Sequence, residues 1–86
     1  NYPNPFNPST KLDFSLPVNS DISFKVYSIT GIEVYSHAQK DVLMGKYTLT
    51  WNGKDHHGRS LSSGIYLYEF KAGDKFHHTK KMTLLK

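Results

Sequence analysis

Two histidine pairs, His56-His57 and His77-His78, are the residues of this 86-residue chain best suited by type to hold a metal ion, because imidazole is a common ligand. Their spacing works against it. Adjacent residues of an extended chain face opposite sides, so each pair offers one ring to any single site. Even if Asp55 or Asp74 joined them, the set would be thin for the tetrahedral coordination zinc prefers. The histidines are therefore expected at the surface, with no metal and no cofactor. Acid–base chemistry has only Glu33, Glu69 and scattered aspartates to draw on, and the chain has no cysteine and no Gly-x-Ser-x-Gly elbow to supply a nucleophile. Asp55 and Ser63 read more economically as turn residues, and no enzyme is expected. Trp51, Tyr27, Tyr35 and Tyr68 could stack on a sugar ring. Trp51 and Tyr68, however, fall on the apolar side of alternating segments and are expected in the core, which leaves Tyr27 and Tyr35 for the surface.

Charge narrows the function further. The net charge of +4 comes from 11 basic and 7 acidic residues spread along the chain. They do not interleave with aromatics as a nucleic-acid-binding sheet requires, so no nucleic-acid partner is expected. No run approaches the roughly 20 apolar residues of a membrane helix, so direct membrane insertion is not expected either. The N-terminus lacks a basic start followed by an apolar stretch, which would place any export signal outside these residues. Without cysteine there is no disulfide, and packing must hold the fold.

The elements that would position these side chains all read as β. Residues 1–86 form one domain, since half this length could not bury a second core. Asn1 to Ser9 is a stiff opening segment with Pro3, Pro5 and Pro8 fixing φ. From Thr10 the alternation of Leu12, Phe14 and Leu16 with Lys11, Asp13 and Ser15 predicts a half-buried strand. Ile22, Phe24 and Val26 predict a second, and Ile32 and Val34 a short third. The polar stretch from Ser36 to Lys46 reads as a connection in which only Val42 and Leu43 could pack. Tyr47, Leu49 and Trp51 then share one face of a fourth strand. Asn52-Gly53 and Asp55-His56-His57-Gly58 mark the main loop, with Asp first and Gly fourth as a type I turn prefers. Ile65 to Lys71 is apolar on both sides at its start, as befits a strand central to its sheet. Phe76 to Leu85 closes the chain, its lysines guarding an edge. Such spacing implies a sandwich or barrel of six or seven strands over residues 10–86, and with the corner motif at Tyr66 the fold is expected to be an immunoglobulin-like antiparallel β-sandwich of about seven strands. In Ser63-Gly64-Ile65-Tyr66-Leu67-Tyr68, Tyr66 is placed as a tyrosine corner, its hydroxyl expected to donate to backbone a few residues upstream.

Several segments are less generic. Tyr2-Pro3-Asn4-Pro5-Phe6-Asn7-Pro8, Trp51-Asn52-Gly53-Lys54-Asp55, Gly58, Ser63-Gly64-Ile65-Tyr66-Leu67-Tyr68 and Lys80-Lys81-Met82-Thr83-Leu84-Leu85-Lys86 occur in the order and spacing of a type A C-terminal sorting domain of the type IX secretion system, which the chain resembles over nearly its whole length. The middle motifs are also similar to the immunoglobulin-like domain of the flagellar hook-capping protein, with Asn52 where Asp is usual. They are mostly turn and core, so they support the fold more than either function.

The sorting resemblance implies a non-catalytic signal that directs an upstream cargo domain through the periplasm and over the outer membrane to the cell surface. In many members a surface sortase then removes the domain, cutting in a linker ahead of Pro3-Asn4-Pro5, outside these 86 residues. The residues it singles out for translocon recognition are Lys80, Lys81, Met82, Leu84, Leu85 and Lys86, with Pro3, Asn4 and Pro5. Trp51, Gly53, Asp55, Gly58, Gly64, Tyr66 and Tyr68 are expected to be structural. Met82, Leu84 and Leu85 are expected to be partly buried, and an exposed last strand could add to a partner's sheet or dimerise. The alternative is a structural, adhesive or carbohydrate-binding module retained on a secreted protein.

Overall fold

Tyr66, Tyr68, Phe70 and Ala72 alternate along one face of a nine-residue strand, and all four are buried. They form the spine of the molecule, whose computed structural model describes residues 10–74 and 76–85. Six strands run in order: β1 (Thr10–Leu16), β2 (Ser20–Ser28), β3 (Glu33–Val42), β4 (Gly45–Trp51), β5 (Gly64–Ala72) and β6 (Phe76–Leu84). They form a four-stranded sheet in the order β3-β2-β5-β6 and a two-stranded sheet of β1 and β4. Every pairing is antiparallel. The architecture is the expected all-β, immunoglobulin-like sandwich. Its described strands number six, however, rather than about seven. The Pro-rich opening, including Pro3, Asn4 and Pro5, lies outside the described residues, as do Lys75 and Lys86.

The third strand departs most from the sequence pattern. It is not a short piece through Ile32 and Val34 but ten residues from Glu33 to Val42, running through the polar stretch read as a connection. The reason is its place in the sheet. Among the described residues β3 is an edge strand hydrogen-bonded to β2 alone, and within it only Val42 is buried, so backbone pairing rather than side-chain alternation defines it. Register shifts against β2 between Ser20 and Ile22 and between Val26 and Tyr27 mark irregularities that further blur its period. Of the two residues in that stretch that could pack, Val42 does, while Leu43 lies just beyond the strand and is 66% exposed.

The core lies between the sheets. Phe24, Val26, Trp51, Phe70 and Leu84 are its most completely buried side chains. Burial of one such large apolar side chain is worth about 1.5–3 kcal/mol. Phe14 of β1 crosses onto Phe70 of β5 with ring centroids 4.6 Å apart, and Trp51 of β4 lies 6.4 Å from Tyr66 and 6.1 Å from Tyr35. The last contact corrects a reading. Tyr35 is not a surface ring but is half-buried against Trp51 and Phe24, because β4 passes over the edge strand at that point. Tyr47 departs the other way. It stacks on Phe14 at 5.5 Å and its hydroxyl donates to the Leu43 carbonyl at 2.6 Å, but it stays partly exposed.

Candidate functional site

The loop after β4 is built from local hydrogen bonds. The Trp51 indole N–H donates to the Lys54 carbonyl at 3.0 Å while its ring fills the core, so one side chain fixes both loop and sandwich. Gly53 is buried with φ of 76°, a left-handed conformation that side-chain-bearing residues resist, and its carbonyl accepts from the Leu61 N–H. The Gly58 N–H donates to the Asp55 carbonyl at 3.1 Å, closing the expected turn. The Asp55 carboxylate accepts from the His57 and Arg59 N–H groups at 2.9 and 3.0 Å. The Arg59 N–H, followed by that of His57 and by the charges of those two residues, outweighs desolvation and holds the carboxyl below the ordinary aspartate value. A bridge between Lys54 and Ser60 makes the loop a miniature hairpin. At its exit the Tyr66 hydroxyl donates to the Ser62 carbonyl at 2.8 Å, four residues upstream, as a tyrosine corner should.

The chain's last described strand is of another kind. Among the described residues β6 is an edge of the four-stranded sheet, with β5 as its neighbour. Residues directly opposite one another share a face. Phe76, His78, Lys80, Met82 and Leu84 stand opposite Ala72, Phe70, Tyr68, Tyr66 and Gly64, and thus turn toward the interior side. His77, Thr79, Lys81 and Thr83 turn outward. The doublet Lys80-Lys81 is thereby split between faces, with both residues exposed. Burial increases toward the end of the strand. Met82 is half-buried, Leu84 is 1% exposed, and Leu85 is 69% exposed rather than partly buried, because it lies past the end of the strand. Thr10 at the start of β1 donates its hydroxyl to the Met82 sulfur at 3.6 Å.

Two of the histidines, His56 and His77, pair with acids. His77 Nε2 lies 2.9 Å from the Glu69 carboxylate, and His56 Nε2 is 3.4 Å from Glu33, which also faces Lys25 at 3.9 Å. Among the described residues no three His, Cys, Asp or Glu side chains converge. Trp51 and Tyr68 are buried, and burial pushes the Tyr68 phenol above its ordinary value. The sequence pattern did not single out Phe76. It is half-exposed although it belongs to the interior face, and the signal would have been its register against buried Ala72.

A two-sheet antiparallel sandwich with a tyrosine corner places the molecule among immunoglobulin-like domains. FlgD from Xanthomonas campestris, whose structure was described for insight into hook capping in flagellar assembly, superimposes with a TM-score of 0.66 at 18% identity, over 90% of this chain and 56% of that one. FlgD from P. aeruginosa gives 0.64 at 26% identity, over 88% and 59%. The chain thus spans somewhat more than half the length of these structures. No curated protein matches it. The model of the secretion system C-terminal sorting domain family matches residues 1–84. The chain belongs to that family, which is the relationship its terminal motifs implied.

Proposed function

We propose that this domain is the export signal of a type IX secretion cargo, read by the translocon chiefly along β6 and the residues that follow it. Family membership assigns a C-terminal sorting role in secretion. The single observation that carries the finer reading is the position of the terminal motif on a strand that is a sheet edge among the described residues, with Lys80, Lys81 and Leu85 exposed and Leu84 anchoring the strand from below. Such an edge can extend a partner's sheet while its lysines set orientation and encounter rate. Trp51, Gly53, Asp55, Gly58, Gly64, Tyr66 and Tyr68 hold the scaffold that presents it. The role is non-catalytic, and sortase removal follows delivery through a cut upstream of Pro3.

The test fuses residues 1–86, with a native upstream linker, to a periplasmic reporter in a bacterium that has the type IX machinery. Translocon-dependent surface delivery, lost when residues 80–86 are deleted, is the expected result. Periplasmic retention of the intact fusion overturns the reading in favour of a structural or adhesive module.

A further inference from the structure

Along β3, polar side chains stand where a sandwich ordinarily places apolar ones. Tyr35, His37 and Gln39 lie opposite buried Val26, Phe24 and Ile22 of β2, so all three turn toward the interior side of the wide sheet. Tyr35 packs there against Trp51 and Phe24. His37 and Gln39 are instead exposed, and among the described residues neither side chain has a hydrogen-bond partner. An imidazole and an amide on an interior face break the alternation that closes a sandwich, and such breaks concentrate where a fold serves a function. Edge protection ordinarily uses lysine, proline or an inward charge, a part that Lys40 can play on this strand. β3 and β4 belong to different sheets and are not paired with each other, and between them runs a cleft of about 350 Å³. Phe14, Ile22 and Leu49 form its apolar part, with His37 and Gln39 on one side and Tyr47 on the other. Tyr47 is 36% exposed, yet its ring is fixed by stacking on Phe14 at 5.5 Å and by the bond from its hydroxyl to the Leu43 carbonyl at 2.6 Å. A ring held in this way loses little freedom when a ligand packs on it.

We propose that this cleft binds a neutral saccharide, which packs a ring on Tyr47 and exchanges hydrogen bonds with His37 and Gln39. The lining sets that chemistry. None of the described residues lining the cleft is Lys, Arg, Asp or Glu. Neighbouring clefts differ, one carrying Asp13 and Lys46 and another Asp21, Asp41 and Asp74. A charged ligand would lose water here and find no counter-ion, which is costly. A wholly apolar ligand would strip water from the imidazole and the amide and replace none of their hydrogen bonds. A sugar ring satisfies both kinds of surface, because its C–H face is attracted to the negative face of an aromatic ring while its hydroxyls donate and accept around the rim. The cleft volume falls at the small end of ligand sites, which run over roughly 300–1,000 Å³. β3 and β6 are opposite ends of the wide sheet, so a sugar held beside β3 leaves β6 accessible. The inference adds a binding activity to the sorting reading and does not rest on it.

The experiment titrates the isotope-labelled 86-residue chain with neutral oligosaccharides of glucose, mannose, galactose and N-acetylglucosamine, following amide and aromatic chemical shifts. Saturable shifts at Tyr35, His37, Gln39 and Tyr47 are expected with at least one of them, with a dissociation constant on the order of 1 mM, as a small open cleft allows. Gln39→Leu should weaken binding about three- to tenfold, the scale of one neutral hydrogen bond. Because Gln39 is exposed, this variant tests the cleft without disturbing the core. Tyr47→Ser should abolish binding, with the circular dichroism spectrum reporting whether the fold is kept. Tyr27→Ser, on the outward face of β2, should leave binding unchanged. No saturable shifts with any of these sugars, shifts centred elsewhere, or equal affinity in Gln39→Leu would overturn the proposal. So would tighter binding of oligogalacturonate or of chitosan oligomers, since charge would then be the recognised feature. Shifts at the same residues with an uncharged peptide of alternating Thr and Val, and with no sugar, would assign the cleft to a polypeptide strand and overturn it. Nuclear Overhauser contacts from Tyr2 or Phe6 to Tyr47 in the sugar-free chain would assign it to the chain's own opening segment, with the same consequence. Reporter export by Gln39→Leu is expected to be unchanged, so loss of sugar binding and loss of export are read separately.

Discussion

The Thr10 hydroxyl lies 3.6 Å from the Met82 sulfur, joining residues 72 positions apart. The described chain therefore starts beside its last strand, and the Pro-rich motif that ends at Pro8 is covalently tied to within two residues of this contact. A partner that read β6, as proposed, would therefore work within two residues' reach of the Pro-rich motif. The sandwich between these ends has its own requirements, which can be tested apart from recognition.

Trp51 is the largest of those requirements. It is 1% exposed, touches Tyr35 and Tyr66, and binds the Lys54 carbonyl. Trp51→Ala is expected to cost about 3–5 kcal/mol, mostly as an uncollapsed cavity. That is a large share of the total stability of a domain this small. Urea denaturation followed by far-ultraviolet circular dichroism will measure it.

The Tyr66 hydroxyl isolates a single hydrogen bond. Tyr66→Phe keeps the ring against Trp51 and leaves the Ser62 carbonyl without this donor. A loss of about 1–2 kcal/mol with unchanged denaturant slope is expected, since the fold remains and one partly buried bond is gone. A change below a few tenths of a kcal/mol would mean that water replaces the donor freely.

Asp55 makes stability depend on acid. Its carboxyl in the folded state titrates below the ordinary value of 3.8, because the Arg59 and His57 N–H groups bind its charged form. A group depressed in this way stabilises the fold above the unfolded value and loses that contribution as pH falls through the folded value. Melting temperatures should therefore fall more steeply for the native chain than for Asp55→Asn as pH drops below 3.8. The two curves should run parallel near neutrality, and thermal melts between pH 7 and pH 2 will compare them.

The residues themselves explain what could be foreseen. β1, β2, β4 and β5 were legible because one face of β2 and β5 is buried and the apolar residues of β1 and β4 turn toward it, which writes a period of two into the sequence, as at Phe24 and Val26. β3 was not, because an edge strand can be held by backbone bonds while Ser36, Gln39 and Lys40 face solvent. The tyrosine corner was legible because it is local. The cleft beside His37 and Gln39 was not, because it lies between strands of two different sheets, a relation that no local pattern encodes. The basic terminal motif was legible as a resemblance and the division of Lys80 from Lys81 as strand alternation, but which of them faces the interior side follows from register.

That division makes the neighbouring leucines a discriminating pair. Leu84 is 1% exposed and Leu85 is 69% exposed, although they are chemically identical and adjacent. Leu84→Ala should cost about 2–5 kcal/mol and reduce reporter export by unfolding the end of β6. Leu85→Ala removes no packing and should change stability by less than about 0.5 kcal/mol. If the translocon reads the exposed end of the chain, Leu85→Ala will nonetheless reduce surface delivery, and only a recognition role accounts for lost export at unchanged stability. Paired denaturation and export measurements on the two variants separate these effects. Full export of Leu85→Ala would restrict the readable surface to the strand itself and its two lysines.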